Sequence, residues 1–265
     1  MQRRPAHLLA TVVLTSALAA GGCSTSPALW PETTGSIATA PRIEADWRRK
    51  LDIEGERYSA NPRDPDVAIR YAQALRAVGQ RAQAAAVLEQ AAIHNPQHRT
   101  LLGAYGRALA DNGNYKQALD VLNSAHTQDQ PDWRILSVQG AVLDQMGRHQ
   151  DAQRHYASAL RLMPDEPSVL SNLGLSYALS KDLPEAESTL RRAAARPQAE
   201  PKVRQNLALV VGLQGRFQEA ETIARGDLSP SEAAANVAYL RQMLAQRSER
   251  KKPHRGSLPA PSTGS

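Results

Sequence analysis

The stretch DPDVAIRYAQALRAVGQRAQAAAVLEQAAIHNP, residues 64–96, decides the fold because its pattern returns four more times along the chain. The five copies start at Pro65, Arg99, Trp133, Pro167 and Pro201, so each step is 34 residues and the alignment needs no gap. Self-similarity at a fixed period of about 20–50 residues is the signature of a repeat array. Each copy is therefore predicted to be one supersecondary unit that packs on the next.

Two positions of the repeat hold only small residues. Position 8 holds Ala72, Gly106, Gly140, Gly174 and Ala208, and position 20 holds Ala84, Ala118, Ala152, Ala186 and Ala220. We expect these positions to face each other between the two helices of a pair, where only a small residue lets the helix axes approach closely. Larger residues at positions 7, 11 and 24 are expected to fill the space between adjacent pairs.

Position 15 marks the predicted end of the first helix in each pair. It holds Gly79, Gly113, Gly147 and Gly215, and glycine takes a left-handed cap conformation without a Cβ penalty. Lys181 holds this position in the fourth repeat and is predicted to cost about 1 kcal/mol there. A proline at or next to position 32 is expected to end the second helix.

This pattern resembles the tetratricopeptide repeat over residues 65–226. The resemblance implies an all-α fold, a right-handed superhelix of stacked helix-turn-helix pairs with a concave inner face. We assign five repeats to residues 65–228. An Ala-rich coiled coil is the alternative, but it would need a sustained period of seven without glycine and proline punctuation.

Both ends of the array are predicted to be capped. Ile43, Trp47, Leu51 and Tyr58 share one helical face, which predicts a capping half-repeat over residues 43–64. Ser229 as N-cap, Pro230 at N1 and Glu232 at N3 predict a capping helix over residues 229–247. Residues 248–265 are polar, basic and rich in Pro, Gly and Ser, so they are predicted to be a disordered tail.

The N-terminal sequence has the features of an export signal. Arg3 and Arg4 precede an apolar run from Leu8 to Leu18, which is too short to span a bilayer, and small residues follow it. Residues 1–22 resemble a bacterial lipoprotein signal peptide, with Cys23, the single cysteine of the chain, as the lipidated residue. The resemblance implies a membrane association through the lipid and, with Ser24 following, an outer-membrane location on the periplasmic face. Residues 23–42, rich in Ser, Thr, Pro and Ala, are predicted to be a flexible tether.

The composition argues against catalysis and nucleic-acid binding. The formal net charge is +6, but it comes from the two ends, because residues 24–245 sum to zero. His94 and His98 are four apart with a helix-ending Asn95-Pro96 between them, so they do not predict a metal site. Tyr177 and Lys181 match the YxxxK spacing of short-chain dehydrogenases, but Tyr177 is simply position 11 of the fourth repeat. We therefore predict no enzyme activity, cofactor, metal or small-molecule substrate.

The inner face of the array is the predicted binding surface. In tetratricopeptide arrays the first helix of each pair lines the groove, with positions 2, 5, 9, 12 and 13 facing inward. Repeats one to three place polar residues there, including Arg107, Arg134 and Asp144, whereas repeats four and five place Leu175, Leu179, Leu209 and Leu213 there. The leucines have two interpretations: an apolar groove for an amphipathic segment of a partner, or core beneath the capping helix.

Residues 204–244, RQNLALVVGLQGRFQEAETIARGDLSPSEAAANVAYLRQML, carry a narrower resemblance. They are similar to the TadD family of Tad (Flp) pilus-assembly lipoproteins, and the stretch from Pro230 to Arg241 is the most diagnostic part. This resemblance implies a scaffold that helps to assemble tight-adherence pili, with the secretin or a neighbouring component as its partner, in the manner of a pilotin. The alternative is another tetratricopeptide envelope lipoprotein, such as a type IV pilus pilotin or an outer-membrane biogenesis scaffold.

Overall fold

The computed structural model of the chain describes residues 40–127 and 129–250. The predicted signal peptide, Cys23, most of the predicted tether and residues 251–265 lie outside these ranges. Within them the chain forms helices and no strand, as the fold prediction required. The helices are α1 (Ala40–Ala60), α2 (Pro65–Ala77), α3 (Arg81–His94), α4 (Arg99–Asp111), α5 (Tyr115–Ser124), α6 (Trp133–Gln145), α7 (His149–Leu162), α8 (Pro167–Leu179), α9 (Leu183–Ala194), α10 (Pro201–Leu213), α11 (Phe217–Ala224) and α12 (Pro230–Arg250).

The 34-residue register is visible in the helix boundaries. The first helices of the five pairs begin at the predicted starts, Pro65, Arg99, Trp133, Pro167 and Pro201, and the second helices all begin at position 17. Local chemistry sets the starts. The Asp64 carboxylate accepts hydrogen bonds from the backbone N–H groups of Asp66 and Val67, and proline at the first helical position of α2 has no N–H to satisfy.

The turn between the two helices of a pair requires a left-handed residue. The glycines at position 15 have φ between 74° and 84°, and Lys181 takes φ of 70° at the same position of the fourth repeat. The prediction of a left-handed residue at position 15 is therefore confirmed, and it holds for Lys181 even though this residue carries a Cβ.

Close approach within each pair follows from the small residues. A Cβ on Gly106 would stand 3.3 Å from the carbonyl oxygen of Ala118, and a Cβ on Gly174 would stand 3.2 Å from that of Ala186. Positions 8 and 20 therefore face each other, as expected. The alanines at position 20 are buried in all five repeats.

The order of packing identifies the inner layer of the array. Each helix from α1 to α12 packs on the next one along the chain. The backbones of the first helices also approach one another closely from repeat to repeat, in the order α2, α4, α6, α8 and α10, whereas among the described residues the backbones of the second helices of successive repeats do not. Stacked pairs in which the backbones of only one set of helices approach closely place that set on the inside of the curve.

Two helical boundaries differ from the sequence prediction. Helix α1 begins at Ala40, inside the stretch assigned to the tether, and packs on α2. Helix α12 runs to Arg250, three residues into the stretch assigned to the tail, and packs on α10 and α11. The extension of α12 follows from its composition, because neither glycine nor proline occurs between Pro230 and Pro253.

Candidate functional site

First-helix residues of repeats one to three line a cavity of about 330 Å³. The lining includes residues from positions 2, 5, 9 and 12 of the repeat, which are positions assigned to the inner face: Ile69, Gln73, Arg76, Gly103, Arg107 and Arg134. Because the repeats share one register, equivalent positions in α8 and α10 lie on the same side of the array. The inner face is thus identified by the cavity in repeats one to three and by the shared repeat register in repeats four and five.

Arginines surround the mouth of this cavity. Arg76 is paired with Asp111, and the Arg134 guanidinium lies 3.9 Å from the carboxylate of Asp132 and stacks on the ring of Trp133. Arg107 makes no ion pair or hydrogen bond with any described residue. Desolvation by the surrounding protein lowers the pKa of Arg107, the neighbouring charge of Arg76 lowers it further, and Asp111 opposes both. A guanidinium stays charged at neutral pH regardless, so the cavity carries an excess of positive charge.

Asp144 was predicted to contact a partner on the inner face, but its carboxylate is hydrogen-bonded within the protein. It is 9% exposed, and its Oδ1 accepts a hydrogen bond from the Ser176 hydroxyl at 2.8 Å and lies 2.9 Å from Nδ1 of His149. The buried Tyr156 hydroxyl donates to Oδ2 at 3.1 Å. These bonds satisfy a buried carboxylate from within the fold and tie α6 to α7 and α8. We therefore withdraw a partner contact for Asp144 and assign it to the packing between repeats three and four.

The four leucines of the predicted stripe are all open to solvent in part. Leu179 is 37% exposed, and Leu175, Leu209 and Leu213 are half-buried. The surface that α10 gives to the core consists of other positions, because Leu207, Val210 and Val211 form the buried cluster with Val237 of α12. Helix α12 also covers Gly212, where an added Cβ would overlap Leu240. This arrangement favours the binding interpretation of the leucines over core beneath the capping helix.

Sequence reasoning did not find the hydrogen bonds that join the inner helices. Asn172 donates to the Ser137 hydroxyl at 3.3 Å, and Asn206 donates to the Ser171 hydroxyl at 2.9 Å. Each bond joins position 6 of one repeat to position 5 of the repeat before it. Asparagine at position 6 of repeats four and five was the available signal.

His98 and Tyr177, which the sequence analysis weighed as metal-binding and catalytic residues, make contacts within the fold. The Nδ1 atom of His98 accepts the backbone N–H of Leu101 at 3.2 Å, which makes His98 the N-cap of α4. Burial, followed by the charges of Glu185 and Asp182, raises the pKa of Tyr177. In residues 40–127 and 129–250 no three His, Cys, Asp or Glu side chains are grouped as metal ligands, and no helix combines the length and hydropathy of a membrane span.

Comparison with known families agrees with this geometry. Two sequence families described as tetratricopeptide repeat match residues 75–141 and residues 138–201. Residues 75–201 carry tetratricopeptide repeats. Proteins built from such repeats are generally non-catalytic scaffolds that bind other proteins. No curated protein sequence matches the chain.

Solved structures share the fold at low sequence identity. The pilus protein PilW, described as a widely conserved type IV pilus biogenesis factor, is 16% identical with a TM-score of 0.62, over 77% of this chain and 96% of PilW. A chain of the APC/C hetero-tetramer Cut9–Hcn1 is 15% identical with a TM-score of 0.62, over 80% of this chain and 42% of its own length. The tetratricopeptide protein TTC0263 from Thermus thermophilus is 22% identical with a TM-score of 0.57, over 70% of this chain and 100% of TTC0263. At such identities the likeness concerns the fold alone.

Proposed function

We propose that this protein is a lipid-anchored tetratricopeptide scaffold of the outer membrane that binds a protein partner during assembly of a Tad (Flp) pilus. Its partner is the secretin or a neighbouring assembly component, which it holds in the manner of a pilotin. The protein performs no catalysis and takes no cofactor, nucleic acid or small-molecule substrate. Its activity is to present a binding surface at the membrane.

The observation that carries this proposal is the open row of leucines on the first helices of repeats four and five. Leu175 and Leu179 are four residues apart on α8, as Leu209 and Leu213 are on α10, so each pair shares one helical face. Helices α8 and α10 are in contact, which brings the two pairs side by side. Full burial of a leucine contributes about 1.5–3 kcal/mol. Four partly open leucines therefore offer a substantial share of the roughly 8 kcal/mol of a micromolar complex.

Two observations support a role in pilus assembly. The stretch from Pro230 to Arg241, which forms the first half of α12, is the most diagnostic part of the resemblance to the TadD family. The fold is also shared with PilW, a type IV pilus biogenesis factor. The likeness to PilW favours one alternative, in which the protein serves a type IV pilus in the same capacity.

Replacing Leu179 and Leu213 with serine tests the binding surface. The double variant is expected to stay helical and to lose capture of the secretin or other assembly component from detergent-solubilised outer membranes, measured by affinity purification and quantitative mass spectrometry. The matched control replaces Ile93 and Leu162, which are 64% and 43% exposed on second helices, with serine. Capture by the leucine variant at the level of the control would contradict the proposal. Unfolding of the leucine variant would show that the leucines belong to the core.

The anchor is tested at Cys23. Cys23→Ala is expected to abolish incorporation of radiolabelled palmitate and to move the protein from the outer-membrane fraction to the soluble periplasmic fraction. Because the cysteine is the chain's only one, no second thiol can take the lipid. Full labelling of the variant, together with unchanged sedimentation in the outer membrane, would refute lipid anchoring.

A further inference from the structure

The cavity between repeats one and three differs from the rest of the inner face in its packing. Between repeats three and five the inner helices are joined by the Ser137–Asn172 and Ser171–Asn206 hydrogen bonds. The equivalent pairs in the first three repeats are Ile69 with Ala104 and Gly103 with Val138, and these side chains make no such bond. The cavity lies where these polar connections are missing and where Gly103 contributes no side chain.

The floor of this cavity is apolar. Ile69, Leu88, Ala125 and Ile135 line it, and each is at most 9% exposed. Ile135 approaches Gly103 so closely that its Cδ1 lies 2.5 Å from the place a Cβ would occupy. A volume of about 330 Å³ is at the lower end of ligand-binding pockets, which suits one or two side chains and not a cofactor.

The rim of the cavity is cationic across three repeats. Arg76, Arg107 and Arg134 come from repeats one, two and three, and Arg99 stands at the start of α4. Asp132 is the only acidic residue among the described residues of the lining, and its carboxylate also caps α6 by accepting the backbone N–H of Arg134 at 2.7 Å. Arg107 stands between the paired Arg76 and Arg134 and has no partner of its own among the described residues. The rim therefore carries more positive charge than its own carboxylates neutralise.

We propose that this cavity binds an acidic segment of a protein partner, one that carries an apolar side chain flanked by aspartates or glutamates. The apolar side chain fills the floor between Ile69 and Ile135, and a flanking carboxylate forms the ion pair that Arg107 lacks. Guanidinium groups pair with carboxylates in a two-bond geometry, which gives specificity as well as affinity. An apolar floor with charges at its edge fits a peptide side chain better than an inorganic anion, which has no apolar part to bury.

This inference rests on the proposed function only in taking the inner face as the binding surface. It adds a second subsite beside the leucine row. This subsite lies at the other end of the same face and has a cationic rim, whereas the leucine row is apolar. A partner that spans both would present an acidic stretch to repeats one to three and an apolar stretch to repeats four and five.

A synthetic probe tests the acidic subsite without knowledge of the partner. The probe is a fluorescein-labelled peptide, Gly-Glu-Asp-Leu-Asp-Glu-Gly, and its binding to the full-length protein in detergent is followed by fluorescence anisotropy. The comparison peptide has Gln and Asn in place of Glu and Asp, and a third peptide has Ser in place of Leu. Saturable binding is expected for the acidic peptide, about tenfold weaker binding for the Ser peptide and no measurable binding for the amide peptide.

The variants locate the binding. Arg107→Gln and Arg107→Glu are expected to raise the dissociation constant of the acidic peptide by about tenfold or more. Arg161→Glu is the matched control because Arg161 is exposed on α7 and its replacement changes the net charge equally. Circular dichroism of each variant verifies that the helices remain.

Several outcomes would overturn the inference. Equal binding of the acidic and amide peptides would show that the peptide carboxylates are not recognised. An effect of Arg161→Glu as large as that of Arg107→Glu would show that the peptide does not bind at the cavity. Displacement of the peptide by inorganic polyphosphate or by phosphatidylglycerol vesicles at equal charge would show a general anion site instead of a peptide site. If the leucine row captures the assembly partner but the acidic peptide fails to bind, this inference falls while the proposed function stands.

Discussion

At the scale of single residues, two side chains show how the fold accommodates departures from the repeat. Lys181 stands where the other four repeats have glycine, and it adopts φ of 70°. Its backbone N–H still donates to the carbonyl of Ala178 at 3.0 Å, so the turn closes as it does elsewhere. Asp144 stands at an inward position but turns into the protein, because Tyr156 offers a buried hydroxyl there. The first departure could be predicted from the sequence, whereas the second depends on a tertiary contact.

The left-handed backbone at Lys181 predicts a stabilising substitution. Lys181→Gly is expected to raise the free energy of unfolding by about 1 kcal/mol, because the Cβ penalty of the left-handed region exceeds the entropy that glycine loses on folding. For a domain of this size the gain corresponds to a rise of roughly 2–4 °C in the thermal midpoint.

Differential scanning calorimetry and urea titration measure this effect. Lys181→Ala is the matched control, because it removes the lysine side chain but keeps the Cβ and is expected to bring no such gain. An equal rise for alanine and glycine would show that the charge of Lys181, and not its backbone, is the source of the cost.

At the scale of elements, a charged cluster joins the second helices of repeats four and five. Glu187 of α9 accepts hydrogen bonds from Arg191 at 2.7 Å, from Gln214 at 2.8 Å and from Arg216 at 2.6 Å. Arg191 also reaches Glu219 of α11 at 2.6 Å. Burial would raise the pKa of Glu187, but the hydrogen bonds from these three residues outweigh it and hold the pKa below its usual range. The cluster thus links the second helices of two successive repeats through side chains.

The lowered pKa of Glu187 predicts a pH-dependent stability. A carboxyl whose pKa is lower in the folded state contributes fully above its unfolded pKa of about 4.3, and this contribution is lost as the pH falls through the folded value. Glu187→Gln is therefore expected to cost about 1 kcal/mol at neutral pH and progressively less as the pH drops below that value.

Urea titrations across this pH range compare the variant with the unmodified protein. Glu221→Gln is the control, because among the described residues Glu221 pairs only with Arg225, one turn later in the chain. A difference between Glu187→Gln and the unmodified protein that stays constant from neutral to acidic pH would contradict the assigned linkage.

The helix boundaries were largely predictable because they depend on local chemistry. Proline at N1, glycine at position 15 and small residues at positions 8 and 20 act within one repeat, so each could be assigned by comparing copies. The cavity was not predictable in this way. It lies where the first three repeats lack the polar pairs that Ser137 and Ser171 form with the following repeats, and such a difference has meaning only when two adjacent repeats are packed together.

At the scale of the whole molecule, the inner face changes chemistry along its length. Arginines from repeats one to three surround a cavity at one end, and leucines from repeats four and five stay partly exposed at the other. The change was expected from the sequence, because the register assigns the same inward positions in every repeat. Exposed leucines on a monomer are ordinary one at a time, whereas an apolar row on adjacent helices is a feature of interaction sites, and this is why we propose that a partner binds there.

Site-specific photocrosslinking in cells tests most directly whether this inner face is where the partner binds. A benzoylphenylalanine replaces Leu179 or Leu213 on the inner face, or Ile93 or Leu162 on the second helices, and adducts formed on irradiation are identified by mass spectrometry. Our account predicts that the two inner positions form adducts with the secretin or another pilus-assembly component and that the two outer positions do not. Adducts with that component from Ile93 or Leu162, and none from Leu179 or Leu213, would contradict it.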